Sequence, residues 1–201
     1  MFIIGLTGGI GVGKTVALGV LASLGVLTLD CDAIYHGLLS DNIELKAELE
    51  ARYVGVTRNG NIDRKVLGEI VFSDPSALLE LNAITHKYVS TEIERLISEW
   101  AEKGGKITAI EAIALIESGI AEKKCDVVVG VTAPMDTRIS RITKRDRISR
   151  EQAQTRINAQ KPDSYYMDNC DYTLESNCAK LEEFENKCKA FFNDLLETYG
   201  Y

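Results

Sequence analysis

The segment GGIGVGKT, Gly8 to Thr15, spends four of its eight positions on glycine and then sets a lysine beside a threonine. It matches the pattern G-x-x-x-x-G-K-[ST] at Gly8, Gly13, Lys14 and Thr15, with a strand-like run before it and a helix-like run after it. Glycine is costly to order, so the run must do something that larger residues cannot. Without Cβ atoms the backbone curls until successive N–H groups point into one concavity and hold phosphate oxygens. The helix that follows adds its positive end. Lys14 is then placed to reach the β- and γ-phosphates, and the Thr15 hydroxyl is offered to Mg²⁺. The motif implies binding of a nucleoside triphosphate and leaves open what is done with it.

Two further patterns carry charge suited to phosphate chemistry. Residues 138–161 hold eight Lys/Arg and two Asp/Glu in a chain of net charge −7. Arg138, Arg141 and Arg145 fall at i, i+3 and i+7, on one helix face, where guanidinium groups can meet a polyphosphate bidentately. A bare charge run also serves as a solvated helix face. The other pattern is LDCDAIYH, 29–36, which follows a strand-like run. Its Asp30 and Asp32 stand at the carboxyl edge of a sheet, where ligands bind in open α/β folds. One acid is suited to take a proton from a substrate hydroxyl, and the other to orient a Mg²⁺-bound water or a substrate group. Loop acids also act as caps and turn formers.

These groups need a scaffold. Apolar runs at Phe2–Leu6, Val26–Leu29, Ile107–Ile113, Val127–Val131 and Tyr172–Leu174 read as buried parallel strands. Helical spacing is expected over Thr15–Leu24, Asp41–Tyr53, Arg64–Phe72, Ser76–Trp100 and Leu181–Tyr199. Strands separated by helices predict an α/β fold with a parallel sheet. The helical stretch 36–103 reads as an inserted subdomain.

Composition narrows the class. The chain has 201 residues, 45% hydrophobic and 26% charged, with an acidic balance that disfavours nucleic acid as a partner. Five cysteines without a CxxC pair read as reduced thiols, not as a disulfide frame or a zinc site. No run approaches a membrane span and no signal peptide is evident, so a cytoplasmic protein is expected. A regulatory GTPase carries D-x-x-G and N-K-x-D, and neither occurs. A mechanical ATPase carries an apolar strand that ends in an acid. DVVVGV has its acid at the wrong end, and ITAIEAIALIE has Glu111 mid-run and Glu117 at its end, which is ambiguous. Size, the helical insertion and the basic segment instead suggest a small-molecule kinase with a lid that closes over the transferring phosphate.

GLTGGIGVGKT, LDCDAIYH, NGNIDRKVLGEIVFSDPSALLELNAITH, IESGI, CDVVV, RISRITKRD and RINAQ, in that order and spacing, resemble the dephospho-coenzyme A kinase family from Ile3 to about Tyr172. The resemblance implies phosphorylation of the ribose 3′-hydroxyl of dephospho-CoA by ATP with Mg²⁺, the last step of coenzyme A synthesis. It implies a three-layer α/β P-loop kinase with a parallel, about five-stranded sheet, an inserted helical substrate subdomain and a helical lid. It divides this chain into a core of about 1–35, 104–137 and 162–201, a substrate subdomain of about 36–103 and a lid of about 138–161. It places ATP on Gly8, Gly9, Ile10, Gly11, Val12, Gly13, Lys14, Thr15 and Val16. Asp32 falls on the family's proposed catalytic base, Arg141 and Arg145 on its lid arginines. Asp30, Arg64, His86 and Glu117 fall on segments implied to contact the substrate.

The chain departs from the family pattern at four places. Lys87 follows the histidine where the family has proline, IALIE has Ile113 and Ala114 for a proline and a leucine, and Ser176 stands for an asparagine. A proline at 113 would fix an extended approach to the site. Two other functions fit the same motifs: a P-loop kinase for a nucleoside or another small alcohol, and a nucleotide-binding protein without catalysis.

Overall fold

Runs buried on both faces cannot alternate polar with apolar residues, so they read as continuous hydrophobic stretches. Five strands form one sheet in the computed structural model, which describes residues 1–178 and 180–201; the central ones are such runs, while the edge strand at 172–175 is mostly exposed. The strands are β1 (Phe2–Thr7), β2 (Leu27–Asp30), β5 (Ile107–Glu111), β6 (Val127–Thr132) and β7 (Tyr172–Glu175), in the order β2-β5-β1-β6-β7. β1 pairs in parallel with both β5 and β6, and β6 in parallel with β7. The glycine-rich loop therefore leaves the carboxyl end of the central strand, where open α/β sheets bind ligands.

Helices α1 (Lys14–Ser23) and α10 (Leu181–Thr198) close this core. Ala17 and Leu21 of α1 and Phe184, Cys188 and Phe192 of α10 pack with Ile4, Leu6 and Val129 of the sheet. Each leucine, isoleucine, valine or phenylalanine among them contributes about 1.5–3 kcal/mol by leaving water. Gly5 interrupts the apolar run of β1 because a Cβ there would come within 2.7 Å of Leu115 and 2.9 Å of the Cys125 sulfur. The remaining helices of this part are α6 (Ile120–Lys124), α7 (Met135–Asp146), α8 (Arg150–Asn158) and α9 (Asp163–Asn169). Arg147, left-handed at φ 55°, ends α7, and a Ser149–Gln152 capping box starts α8. Ile139, Ile142, Ala153 and Ile157 then pack the two into a helical hairpin.

The chain forms two compact units, Met1–Leu29 with Lys103–Tyr201, and Asp30–Glu102. The second contains α2 (Cys31–Asp41), α3 (Ile43–Arg52), the hairpin β3 (Thr57–Arg58) and β4 (Asn61–Ile62), α4 (Arg64–Ser73) and α5 (Pro75–Glu102). Its own core gathers Leu39, Leu45, Leu49, Tyr53, Leu67 and Leu81.

Three sequence expectations change here. The Asp30–Asp32 stretch, expected as loop acids, opens helix α2, because the Asp30 carboxylate accepts from the Ala33 N–H at 3.0 Å and caps it. The helix expected from Asp41 starts at Ile43 instead. Asn42 ends α2 and caps α3 through Leu45 N–H at 2.7 Å. The strand expected to reach Ile113 stops at Glu111, where Ala112 N–H still bonds Leu6 O and the chain turns through residues 113–119.

Candidate active site

Three glycines of the loop are there for their backbone angles. Gly8, Gly11 and Gly13 have φ of 141°, 80° and 109°, values that side chains strain to adopt. Space is also short. A Cβ on Gly8 would overlap the Val131 carbonyl oxygen, and one on Gly13 would lie 3.0 Å from Phe184 and 3.2 Å from Ser176 Oγ. Val12 is fully buried and anchors the loop in the sheet core, while Ile10 rests on the α7–α8 hairpin. Val16, on the first turn of α1, packs against the sheet core.

Lys14 Nζ donates to Gly8 O at 3.0 Å and Gly9 O at 3.3 Å, and lies 3.4 Å from Glu111 Oε1. The side chains of Lys14 and Glu111 are only 10% and 11% exposed, so each charge depends on having a partner. Glu111 is the residue that the sequence left undecided. Its register opposite Leu6, beside the start of the loop, makes it the acid at the end of an apolar strand. The signal was present in ITAIE, and only the strand's true end resolves it. Thr15 is exposed. Its hydroxyl and the Glu111 carboxylate are hard oxygen donors, which suit a Mg²⁺ held by one or two protein oxygens and by substrate phosphates. Among the described residues, no group of three His, Cys, Asp or Glu is set to hold a metal by itself.

The three arginines that share a helix face have different surroundings. Arg141 donates to Gly11 O at 3.2 Å, Val12 O at 3.0 Å and Ser176 Oγ at 3.0 Å. Burial draws its pKa down from the ordinary arginine value, and it remains charged. Ser176 is thus an acceptor for Arg141. Arg138, expected to face a polyphosphate, has a 3% exposed side chain that pairs with Asp163 at 2.9 Å and donates through Nε to Ile10 O at 2.9 Å. Arg145 is 61% exposed and bonds Asp146, which also receives Arg156 at 2.7 Å.

Glu117 is exposed in the turn after β5. Its charge reaches α9 and Cys170: burial first, and Glu117 second, push the Tyr166 hydroxyl up to about 12.

In the Asp30–Glu102 unit, Asp32 is exposed in the first turn of α2, where the helix end favours an anion. Arg64, first residue of α4, bonds His36 Nδ1 at 2.7 Å. Burial raises the pKa of the neighbouring Tyr35, and the Arg64 charge partly offsets that rise. His86 is exposed on α5, and the partial burial of its ring draws its pKa below the ordinary histidine value.

A family model for dephospho-CoA kinase matches residues 2–182. A dephospho-CoA kinase from Dehalococcoides mccartyi is 35% identical over 98% of this chain and 99% of its own length, and one from Thermobifida fusca is 38% identical over 80% of each. Among solved structures, a Thermus thermophilus protein superimposes with a TM-score of 0.79 at 31% identity, covering 96% of this chain and 97% of its own. A shikimate kinase from Acinetobacter baumannii shares the fold, with a TM-score of 0.57 at 16% identity over 100% of this chain and 96% of its own.

Proposed function

Since the chain belongs to the dephospho-CoA kinase family, we propose that its Gly8–Val16 loop holds ATP while Asp32 receives the proton of the acceptor hydroxyl. The enzyme makes coenzyme A by moving the γ-phosphoryl group of ATP to the ribose 3′-hydroxyl of dephospho-CoA. The hydroxyl oxygen forms the new P–O bond, the bond to the β–γ bridging oxygen breaks, and ADP leaves. Such transfers depend on positioning and on stabilising spread charge.

The observation that carries the ATP reading is Lys14, held at the first turn of a loop with three left-handed glycines. Its ammonium meets the β- and γ-oxygens. Arg141 and Arg145 add positive charge from the α7 side, Arg141 fixed to the loop and Arg145 exposed and paired with Asp146. Thr15 and Glu111 would hold Mg²⁺, which would supply positive charge to the phosphates when bound. The Asp30–Glu102 unit is the receptor for dephospho-CoA, with Arg64 and His86 as its cation and ring contacts and Asp30 fixing the start of α2. Glu117 contributes from the turn after β5. Among the described residues no helix is long and apolar enough to cross a membrane. We read the enzyme as cytoplasmic, with all five cysteines free.

Purified protein incubated with ATP, Mg²⁺ and dephospho-CoA should yield coenzyme A by mass spectrometry, with adenosine and a nucleoside monophosphate inert in parallel tubes. Lys14→Ala should abolish the product. Asp32→Asn should keep ATP affinity and lose about 100-fold in turnover. Wild-type turnover in that variant would remove Asp32 from the role.

A further inference from the structure

Gly9 differs from the other glycines of the loop. Its φ lies outside the left-handed region, so its backbone angles do not demand glycine. What demands it is Arg138. A Cβ on Gly9 would overlap Arg138 Nη2 and would lie 3.0 Å from its Cζ and 3.1 Å from Gln160 Oε1. Arg138 and Gln160 also grip the next residue, Ile10, by its two backbone polar groups. Gln160 Oε1 accepts the Ile10 N–H at 2.6 Å, and Arg138 Nε donates to Ile10 O at 2.9 Å. Arg138 is itself fixed through Nη1 to Asp163 Oδ1 at 2.9 Å, and its buried Nη2 has no acceptor among the described residues. Burying a guanidinium with one nitrogen unsatisfied carries a cost of desolvation. Such a cost is retained where the group does something that a cheaper apolar residue would not.

We propose that Arg138 and Gln160 are positioning residues that hold the two backbone polar groups of Ile10, its C=O and its N–H, and thereby set the γ-phosphate end of the ATP loop. The location follows from Lys14, whose ammonium bonds the carbonyls of Gly8 and Gly9, the two residues immediately before Ile10. Lysine at this motif position reaches the β- and γ-phosphates, so the first turn of the loop is the end where the γ-phosphate lies. Residues 11–13 and the start of α1 hold the rest of the polyphosphate and have their own tether in Arg141. Loosening Ile10 should therefore weaken recognition of the third phosphate and leave that of the first two in place.

This inference rests on reading Gly8–Val16 as the ATP site, and the wild type tests that reading first. A wild-type enzyme that binds neither ATP nor ADP defeats the parent reading alone. Dissociation constants for ATP and ADP, KM for dephospho-CoA, kcat and melting temperature are then measured for Gly9→Ala, Arg138→Met, Gln160→Met and the Gly9→Ala/Arg138→Met pair. We expect each single variant to bind ATP about tenfold more weakly, the scale of one lost hydrogen bond to a charged or buried group. ADP affinity and KM for dephospho-CoA should stay near wild type. Gly9→Ala displaces Arg138 where Arg138→Met removes it, so the double variant should lose no more than either single one. Arg138→Lys, which keeps one donor nitrogen, should recover part of the ATP-to-ADP preference. A wild-type ATP-to-ADP ratio in folded Gln160→Met and Gly9→Ala would overturn the proposal, whether or not Arg138→Met folds. So would equal losses for the two nucleotides, which is what a merely structural strut gives.

Discussion

At the scale of single residues, the pairing of Lys14 with Glu111 decides more than either charge alone. Two side chains about one-tenth exposed stand 3.4 Å apart at the ends of neighbouring elements. A buried carboxylate left alone would be expensive, and the lysine beside it stabilises its charged form. The same carboxylate is a hard donor beside the loop. Glu111→Gln keeps the shape and removes the charge. We expect kcat to fall about tenfold to 100-fold and half-maximal activity to require more Mg²⁺. A Mg²⁺ titration of initial rates checks this, and an unchanged Mg²⁺ midpoint would leave Glu111 only a structural ion pair. The cysteines have no comparable part: burial pushes Cys125 and Cys188 up to about 12, so they stay thiols at neutral pH.

At the scale of elements, short polar contacts set where helices and turns begin. Asp30 and Asn42 each cap a helix, and the dipeptide Asn59–Gly60, at φ 51° and 76°, turns the small hairpin of β3 and β4. Reading 36–103 as helical passed over that turn, although the Asn-Gly of RNGN is a strong two-residue hairpin signal. The loop leading into it is held by Glu50 of α3, whose carboxylate accepts the N–H groups of Gly55 at 2.8 Å and Thr57 at 2.7 Å. Those bonds hold its pKa below the ordinary value of 4.5. A lowered folded pKa means that the contribution is full above the unfolded value and is lost as pH falls through the folded one. Thermal melts of Glu50→Gln and wild type should therefore differ most near neutral pH and converge as pH drops below the usual glutamate range. A gap that persists into strong acid would show that the carboxylate's charge is not what holds the loop.

At the scale of the molecule, two hydrophobic cores lie in two units. Leu49 is fully buried in the core of the Asp30–Glu102 unit. Leu49→Ala should cost about 2–5 kcal/mol in urea unfolding. On the proposed division of labour, ATP affinity measured well below the melt should stay at its wild-type value while KM for dephospho-CoA rises. Loss of ATP affinity in step with stability would mean that the two cores do not act independently.

The sequence by itself determined the phosphate loop, because its chemistry is local: glycines that free the backbone, then a lysine and a threonine one helical turn into reach. It also determined the class of fold, since strands buried on both faces and helices with one apolar face have different periods. Tertiary structure decided what depends on distant neighbours. Glu111 meets Lys14 only because β5 ends opposite Leu6. Arg138 left the phosphate-facing role its spacing suggested, because α7 packs close enough for its guanidinium to reach Ile10 and Asp163. Gly9 is glycine on account of a residue 129 positions later in the chain. Sequence spacing shows which residues share a face. Only packing shows what that face meets.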